Sequence, residues 1–161
     1  MDGTYLAPPM PPHLDTPEKR REFIVGFEDA LAAQPNAVWG DNEIMPLTHK
    51  FCDGMYVREI FIPAGMLLTG KIYLRENPCF LMMGTIAIIT EDGGLVMMSA
   101  PQVVISPAGC KRAAYALTDV KWANVYLNPN GHAEFTEEFE KELVCNTYEQ
   151  LPRIQRKEIF Q

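Results

Sequence analysis

Residues 79–106 read CFLMMGTIAIITEDGGLVMMSAPQVVIS, and the fold class follows from how this stretch is punctuated. Short apolar runs at 79–83, 85–90, 95–99 and 103–106 alternate with turn signals. Asp92-Gly93-Gly94 between two such runs is the strongest hairpin cue, because a tight hairpin needs residues that accept positive φ. Working outward, similar runs occupy 56–62 and 66–74 upstream, and 112–117 and 122–127 downstream. They are separated by Pro63-Ala64-Gly65, Pro107-Ala108-Gly109 and Thr118-Asp119. About eight short strands with tight turns predict an all-β sandwich or closed barrel, since an open sheet would leave vulnerable edges.

Helices flank this core. Thr16 is an N-cap and Pro17 suits the first helical position, where its missing N–H costs nothing. Phe23, Phe27 and Leu31 then recur at i, i+4 and i+8 beside Ile24 and Ala30, with Lys19, Arg20, Glu22 and Glu28 on the other side, until Pro35-Asn36. The expectation is one amphipathic helix packed outside the barrel. After Asn128-Pro129-Asn130-Gly131 comes a second helix capped by Thr136, with Glu137 and Glu138 in its first turn and Phe139 and Leu143 on its apolar side. The tail carries Ile154, Ile159 and Phe160 among basic residues and is read as frayed or docking. At the other end, Pro8, Pro9, Pro11 and Pro12 favour extended geometry that builds no core. Tyr5, Leu6 and Met10 give this arm apolar anchors, either for a solvated tail or for an arm lying across a neighbouring subunit.

With 161 residues, 47% of them apolar and 22% charged, the chain suits a single globular domain. A formal net charge of −7 argues against general nucleic-acid affinity, which needs clustered Lys and Arg. No apolar run approaches the ~20 residues of a membrane span, and the N-terminal stretch lacks the basic and apolar regions of a signal peptide. The expectation is a soluble protein. Cys52, Cys79, Cys110 and Cys145 form no C-x-x-C pair and read as reduced, mostly buried thiols.

Three stretches, REIFIPAGMLLTGKIY, LMMGTIAIITEDGG and APQVVISPAGCKRAAYALTDVKWANVYLN, resemble a cupin barrel. The likeness is greatest to small cupin-like proteins of tailed bacteriophages. It implies an all-β cupin jelly-roll barrel with an N-terminal and a C-terminal flanking helix. The chain then divides into a proline-rich arm (1–15), a helix (16–36), a cupin-like barrel (37–130) and a C-terminal helix with tail (131–161). The first cupin motif, H-x-H-x(3)-E-x(6)-G, anchored on Gly84, falls on Lys71, Tyr73 and Asn77. The second, P-x-G-x(2)-H, falls on Pro107, Gly109 and Arg112. The turn framework matches while every ligand position departs. Lysine and arginine offer only N–H donors and positive charge, so no metal and no other cofactor is expected. His13, His49 and His132 are read as lying outside the barrel strands.

Strand alternation would turn Lys71 and Tyr73 into the barrel with Arg112 approaching from a neighbouring strand. Two outcomes stay open. Lys71 and Arg112 could pair with Glu59 or Glu76 as a salt-bridged plug, as buried charges demand. Alternatively, Lys71, Tyr73, Asn77 and Arg112 could line a pocket for a small anion or nucleotide. Metal-free epimerases of the wider cupin group use His and Tyr as acid and base. No histidine is expected in that role here, and no catalytic residue is assigned. The resemblance thus implies a non-enzymatic structural or accessory phage protein, acting through homo-oligomeric assembly. Its partners would be itself and other particle proteins, with no nucleic acid and no membrane. It would be made in the host cytoplasm and sit in the virion. The alternatives are the anion binder and a metal-independent, epimerase-like enzyme.

Overall fold

The computed structural model describes residues 9–152. Tyr5, Leu6, Ile154, Ile159 and Phe160 lie outside these. The elements run α1 (Pro17–Ala32), β1 (Leu47–Cys52), β2 (Met55–Ile62), β3 (Leu67–Thr69), β4 (Ile72–Tyr73), β5 (Asn77–Met83), β6 (Thr85–Thr90), β7 (Gly94–Ser99), β8 (Gln102–Ser106), β9 (Arg112–Ala116), β10 (Val120–Leu127), α2 (Glu137–Leu143) and β11 (Val144–Cys145). Five strands form one antiparallel sheet in the order β1-β2-β10-β5-β8, and four form a second, β3-β9-β6-β7. β4 and β11 form a separate two-stranded ribbon; leaving it aside, beyond β2 the chain passes from one of the larger sheets to the other at each step except the β6–β7 hairpin. This is the strand order of a jelly roll, the fold the cupin resemblance implies.

The inner faces meet in a core of Ile62, Leu81, Ile86, Met98, Val120 and Trp122. Two turns need glycine. Gly84 sits at φ 85°, and a Cβ there would run into the Asp119 carbonyl. Gly109 at φ 77° makes the turn that delivers β9. Both are the glycines of the motif framework.

Three readings of the sequence are corrected. The run 66–74 is two strands, β3 and β4, broken at Gly70-Lys71. β1 was not anticipated, although Leu47, His49 and Phe51 alternate with more exposed Thr48, Lys50 and Cys52 ahead of the Asp53-Gly54 turn. His49 therefore belongs to the barrel. Finally, α1 is rotated from its expected face: Ile24 and Arg20 are buried, and Phe23 is exposed. Arg20 can be buried because its guanidinium donates to the carbonyls of Glu91 and Leu14 (3.0 Å to the latter). The helix start is as read, with the Thr16 hydroxyl accepting from the Lys19 N–H. Met10 packs within its own chain, beside Leu14, Ile24 and Ile89. All four cysteines are free, with Cys79 and Cys110 buried but Cys52 exposed.

α1 lies on the outer face of the smaller sheet. There Lys111 reaches Glu28 Oε1 and the Gly70 carbonyl, each at 2.9 Å. The second helix, α2, capped by the Thr136 hydroxyl, buries Phe139 and Leu143 against Tyr56, Tyr73 and Tyr126.

Glu91, at the end of β6, ties three segments together: Arg21 of α1 donates to it at 2.6 Å and the Tyr148 hydroxyl at 3.1 Å. Burial pushes its carboxyl above the ordinary 4.5, and Arg21 pulls it back only partly. The folded state therefore holds this proton more tightly than the unfolded chain. Its contribution to stability is complete below about 4.5 and is lost as pH rises through the folded value. Urea titrations across that window should show stability falling with pH at this site, and Glu91→Gln should flatten the slope. An unchanged slope in the variant would assign the proton elsewhere.

Candidate functional site

Tyr73, Asn77 and Arg112 do come together. They stand on β4, at the start of β5 and at the start of β9, strands of three different sheets, and the Gly109 turn closes onto the Tyr73 carbonyl at 2.7 Å. Arg112 Nη1 donates to the Tyr73 hydroxyl at 3.0 Å. Its guanidinium lies 5.2 Å from the ring centres of both Tyr73 and Trp122. The Cys79 thiol is 3.7 and 3.9 Å from its two terminal nitrogens. Asn77 Nδ2 donates to the same sulfur at 3.3 Å, while Asn77 Oδ1 is buried with no hydrogen-bond partner among the described residues. Burial pushes the Tyr73 phenol up to about 12 against the opposing pull of Arg112. Burial likewise holds the Cys110 thiol up at about 11, so both stay protonated at neutral pH.

Lys71 does not join them. The break before β4 turns it out of the barrel: its side chain is 43% exposed and its ammonium pairs with Glu140 of α2 at 2.8 Å. The expected plug is absent as well. Glu59 pairs on the outer face with Lys50 at 2.6 Å and Lys121 at 3.5 Å, Glu76 is exposed, and neither meets Arg112. Among the described residues Arg112 has no carboxylate partner. Aromatic faces and a thiol surround it instead.

The residue that sequence reading missed is Arg58. It is partly buried, its side chain 13% exposed, on the inner face of β2, where β-alternation alone gives no sign of it. Its Nε donates to the Tyr56 hydroxyl at 3.0 Å, and Nη2 lies 3.4 Å from Glu140. Its guanidinium also faces the Tyr126 and Phe135 rings. Opposite it on β1, His49 Nδ1 is 2.6 Å from the same Tyr56 hydroxyl, with its ring stacked on Phe135 at 4.4 Å. Burial and Arg58 both lower the His49 pKa, so the neutral ring accepts the Tyr56 proton while Tyr56 accepts from Arg58. Tyr56 is fully buried, which makes this chain of bonds an internal brace rather than a pair that meets a substrate.

The residues at the motif positions do not fit a divalent cation. A guanidinium at one offers no lone pair and repels a cation, and at another a phenol that stays protonated at neutral pH is a poor ligand whose oxygen already accepts from Arg112. Among the described residues no three His, Cys, Asp or Glu side chains form a metal-ligating group. A cleft of about 430 Å³ that shares Asn77 with this group opens beside α2, between Arg75, Asn77, Tyr126, Asn130, Glu142 and Leu143. Glu142 there is already held by His132 and Asn130, each at 3.0 Å. No helix among the described residues is long and apolar enough to cross a membrane.

No family model matches the chain, and no curated protein matches it. Solved structures do resemble it. A cupin superfamily protein from Desulfitobacterium hafniense aligns at 13% identity and TM-score 0.45, covering 56% of this chain and 84% of its own. KdgF from Halomonas sp. aligns at 12% and 0.46, covering 56% and 86%. Salicylate 1,2-dioxygenase from Pseudoaminobacter salicylatoxidans aligns at 11% and 0.48, covering 68% of this chain and 32% of that one. Likeness at this level carries nothing about activity, and the fold rests on the strand order itself. What the chain presents is a jelly roll in which Tyr73, Asn77 and Arg112 gather at positions that the cupin motif spacing marks, with Lys71 turned away from them.

Proposed function

We propose that this chain is a non-enzymatic protein that works by self-association, as a structural or accessory component of a tailed-phage particle. One observation carries the self-association: the outer face of the five-stranded sheet is apolar toward its open edge. Val103 and Ile105 of edge strand β8 are 61% and 58% exposed, and they stand directly across from Phe80 and Pro78 of β5. The same face continues without charge through Ala123, until Glu59 and its two lysines form a polar rim. An uncharged apolar face beside an unpaired strand edge is a hazard for a monomer and suits a partner surface. A second copy fits such a patch because no charged side chain has to be desolvated there, and a closed pairing would cover the open β8 edge of both copies. The phage half of the reading is supported by the sequence resemblance alone. It would place the protein in the host cytoplasm first and in the particle afterwards.

Light scattering behind size exclusion should find an oligomer for the wild type and a monomer for Val103→Lys/Ile105→Lys. The melting temperature should move little, because exposed substitutions typically cost about 0.5 kcal/mol or less. A wild type that stays monomeric at tens of micromolar sinks the self-association. Mass spectrometry of purified particles tests the phage role separately: absence of this chain removes it from the virion. The epimerase-like alternative gains nothing from His49 and Tyr56, whose shared proton is sealed from any substrate. The anion-binding alternative has a specific observation behind it, taken up next.

A further inference from the structure

Several internal cations of this barrel have a charged or carbonyl partner. Arg20 has two carbonyls, Arg21 has Glu91, Arg58 has Glu140, and Lys111 has Glu28. Among the described residues Arg112 has only a phenol oxygen, two ring faces and long contacts to a thiol. Cation–π contacts and a thiol offset part of the cost of desolvating a guanidinium, but they do not neutralise it.

The phenol beside it is also incompletely used. The Tyr73 oxygen accepts from Arg112, and no acceptor receives its own O–H among the described residues. An uncompensated cation and an unused hydroxyl donor thus stand 3.0 Å apart on the inner side of the barrel. The surroundings add to the positive field. Arg58 and Lys71 share the single carboxylate of Glu140, at 3.4 and 2.8 Å. Arg112 is itself only partly buried, so its guanidinium is not fully closed off from solvent, and Ile60 packs on the same core cluster as Trp122.

We propose that Arg112 and Tyr73 form a binding site for a small organic carboxylate. Its two oxygens would take the guanidinium N–H groups and the Tyr73 O–H, and its apolar body would lie toward Trp122 and Ile60. One guanidinium and one hydroxyl suit a monoanion. A phosphate dianion would leave oxygens facing apolar side chains, at a desolvation cost. The site is independent of self-association, which uses the opposite side of the larger sheet.

The test is a thermal-shift and calorimetric titration of the full chain with sodium benzoate, sodium acetate, sodium phosphate and sodium chloride at equal ionic strength. Benzoate should raise the melting temperature saturably, by about 5–10 °C at a hundredfold excess over Kd. Acetate should act more weakly, and phosphate no better than chloride. Tyr73→Phe should weaken benzoate roughly tenfold, the worth of one hydrogen bond to a charged group. Arg112→Met should abolish the response while melting, without ligand, no lower than the wild type. The proposal is overturned if no carboxylate shifts the wild type more than chloride does. It is equally overturned if the shift survives in Arg112→Met, or if that variant melts well below the wild type and the wild type ignores benzoate. That last result would make the guanidinium a plug. Should Arg112→Met not fold, the wild-type titration and Tyr73→Phe decide alone: equal benzoate affinity in both removes the site.

Discussion

Replacing Phe139 by alanine should destabilise the protein by about 3–5 kcal/mol, the range for deleting a fully buried phenylalanine side chain. Phe139 is the one large side chain by which the short helix α2 is fully buried, and it meets Tyr56 edge-on at 5.1 Å and Phe51 at 5.9 Å. A helix of seven residues has no stability of its own, so its position depends on that contact. Loss of the ring should also loosen Glu140, the next residue, from Arg58 and Lys71. The variant should then show a lower urea midpoint together with greater proteolytic sensitivity near α2, while β-sheet circular dichroism is retained below the transition. A loss under 1 kcal/mol would mean that α2 is not part of the cooperative unit.

Much of the barrel was legible because its turns are chemically marked. Asp92-Gly93-Gly94 and Pro107-Ala108-Gly109 place glycine where φ is positive, and the strands between them alternate or run apolar as their burial requires. Thr16 and Thr136 capped the helices as read. The motif spacing brought Tyr73, Asn77 and Arg112 to one end, because the glycines that anchor it still make the same turns. What stayed hidden depends on tertiary contacts. Lys71 left the barrel because β4 begins only at Ile72, and a carboxylate on a distant helix was there to receive it. Arg20 and Arg58 sit on inner faces that hydropathy alone assigns to apolar residues. They are tolerated there because carbonyls, Tyr56 and Glu140 are aimed at them. β1 carries a histidine and a lysine that dilute its apolar signal, though its period-two pattern ahead of Asp53-Gly54 was available.

The Glu28–Lys111 pair should respond asymmetrically to removal of either partner. The Lys111 side chain is 2% exposed and that of Glu28 is 40% exposed, at 2.9 Å. Glu28→Ala leaves an ammonium sealed between α1 and the smaller sheet, with only the Gly70 carbonyl to answer it. Breaking a buried pair this way costs about 3–5 kcal/mol, and the solvent already reaching Glu28 reduces the expectation to about 2–3 kcal/mol. Lys111→Met removes the charge that is costly to bury and keeps the apolar stem. The Glu28 carboxylate it leaves behind can hydrate and still accepts from the Thr69 hydroxyl at 2.9 Å. That variant should lie within about 1 kcal/mol of the wild type. The double variant Glu28→Ala/Lys111→Met should recover most of what Glu28→Ala loses, which an additive pair of surface changes cannot do. Urea denaturation of the three variants measures all of this. If Lys111→Met proves costlier than Glu28→Ala, the ammonium is contributing a net attraction larger than its burial penalty, and the ordering argued here from exposure is wrong.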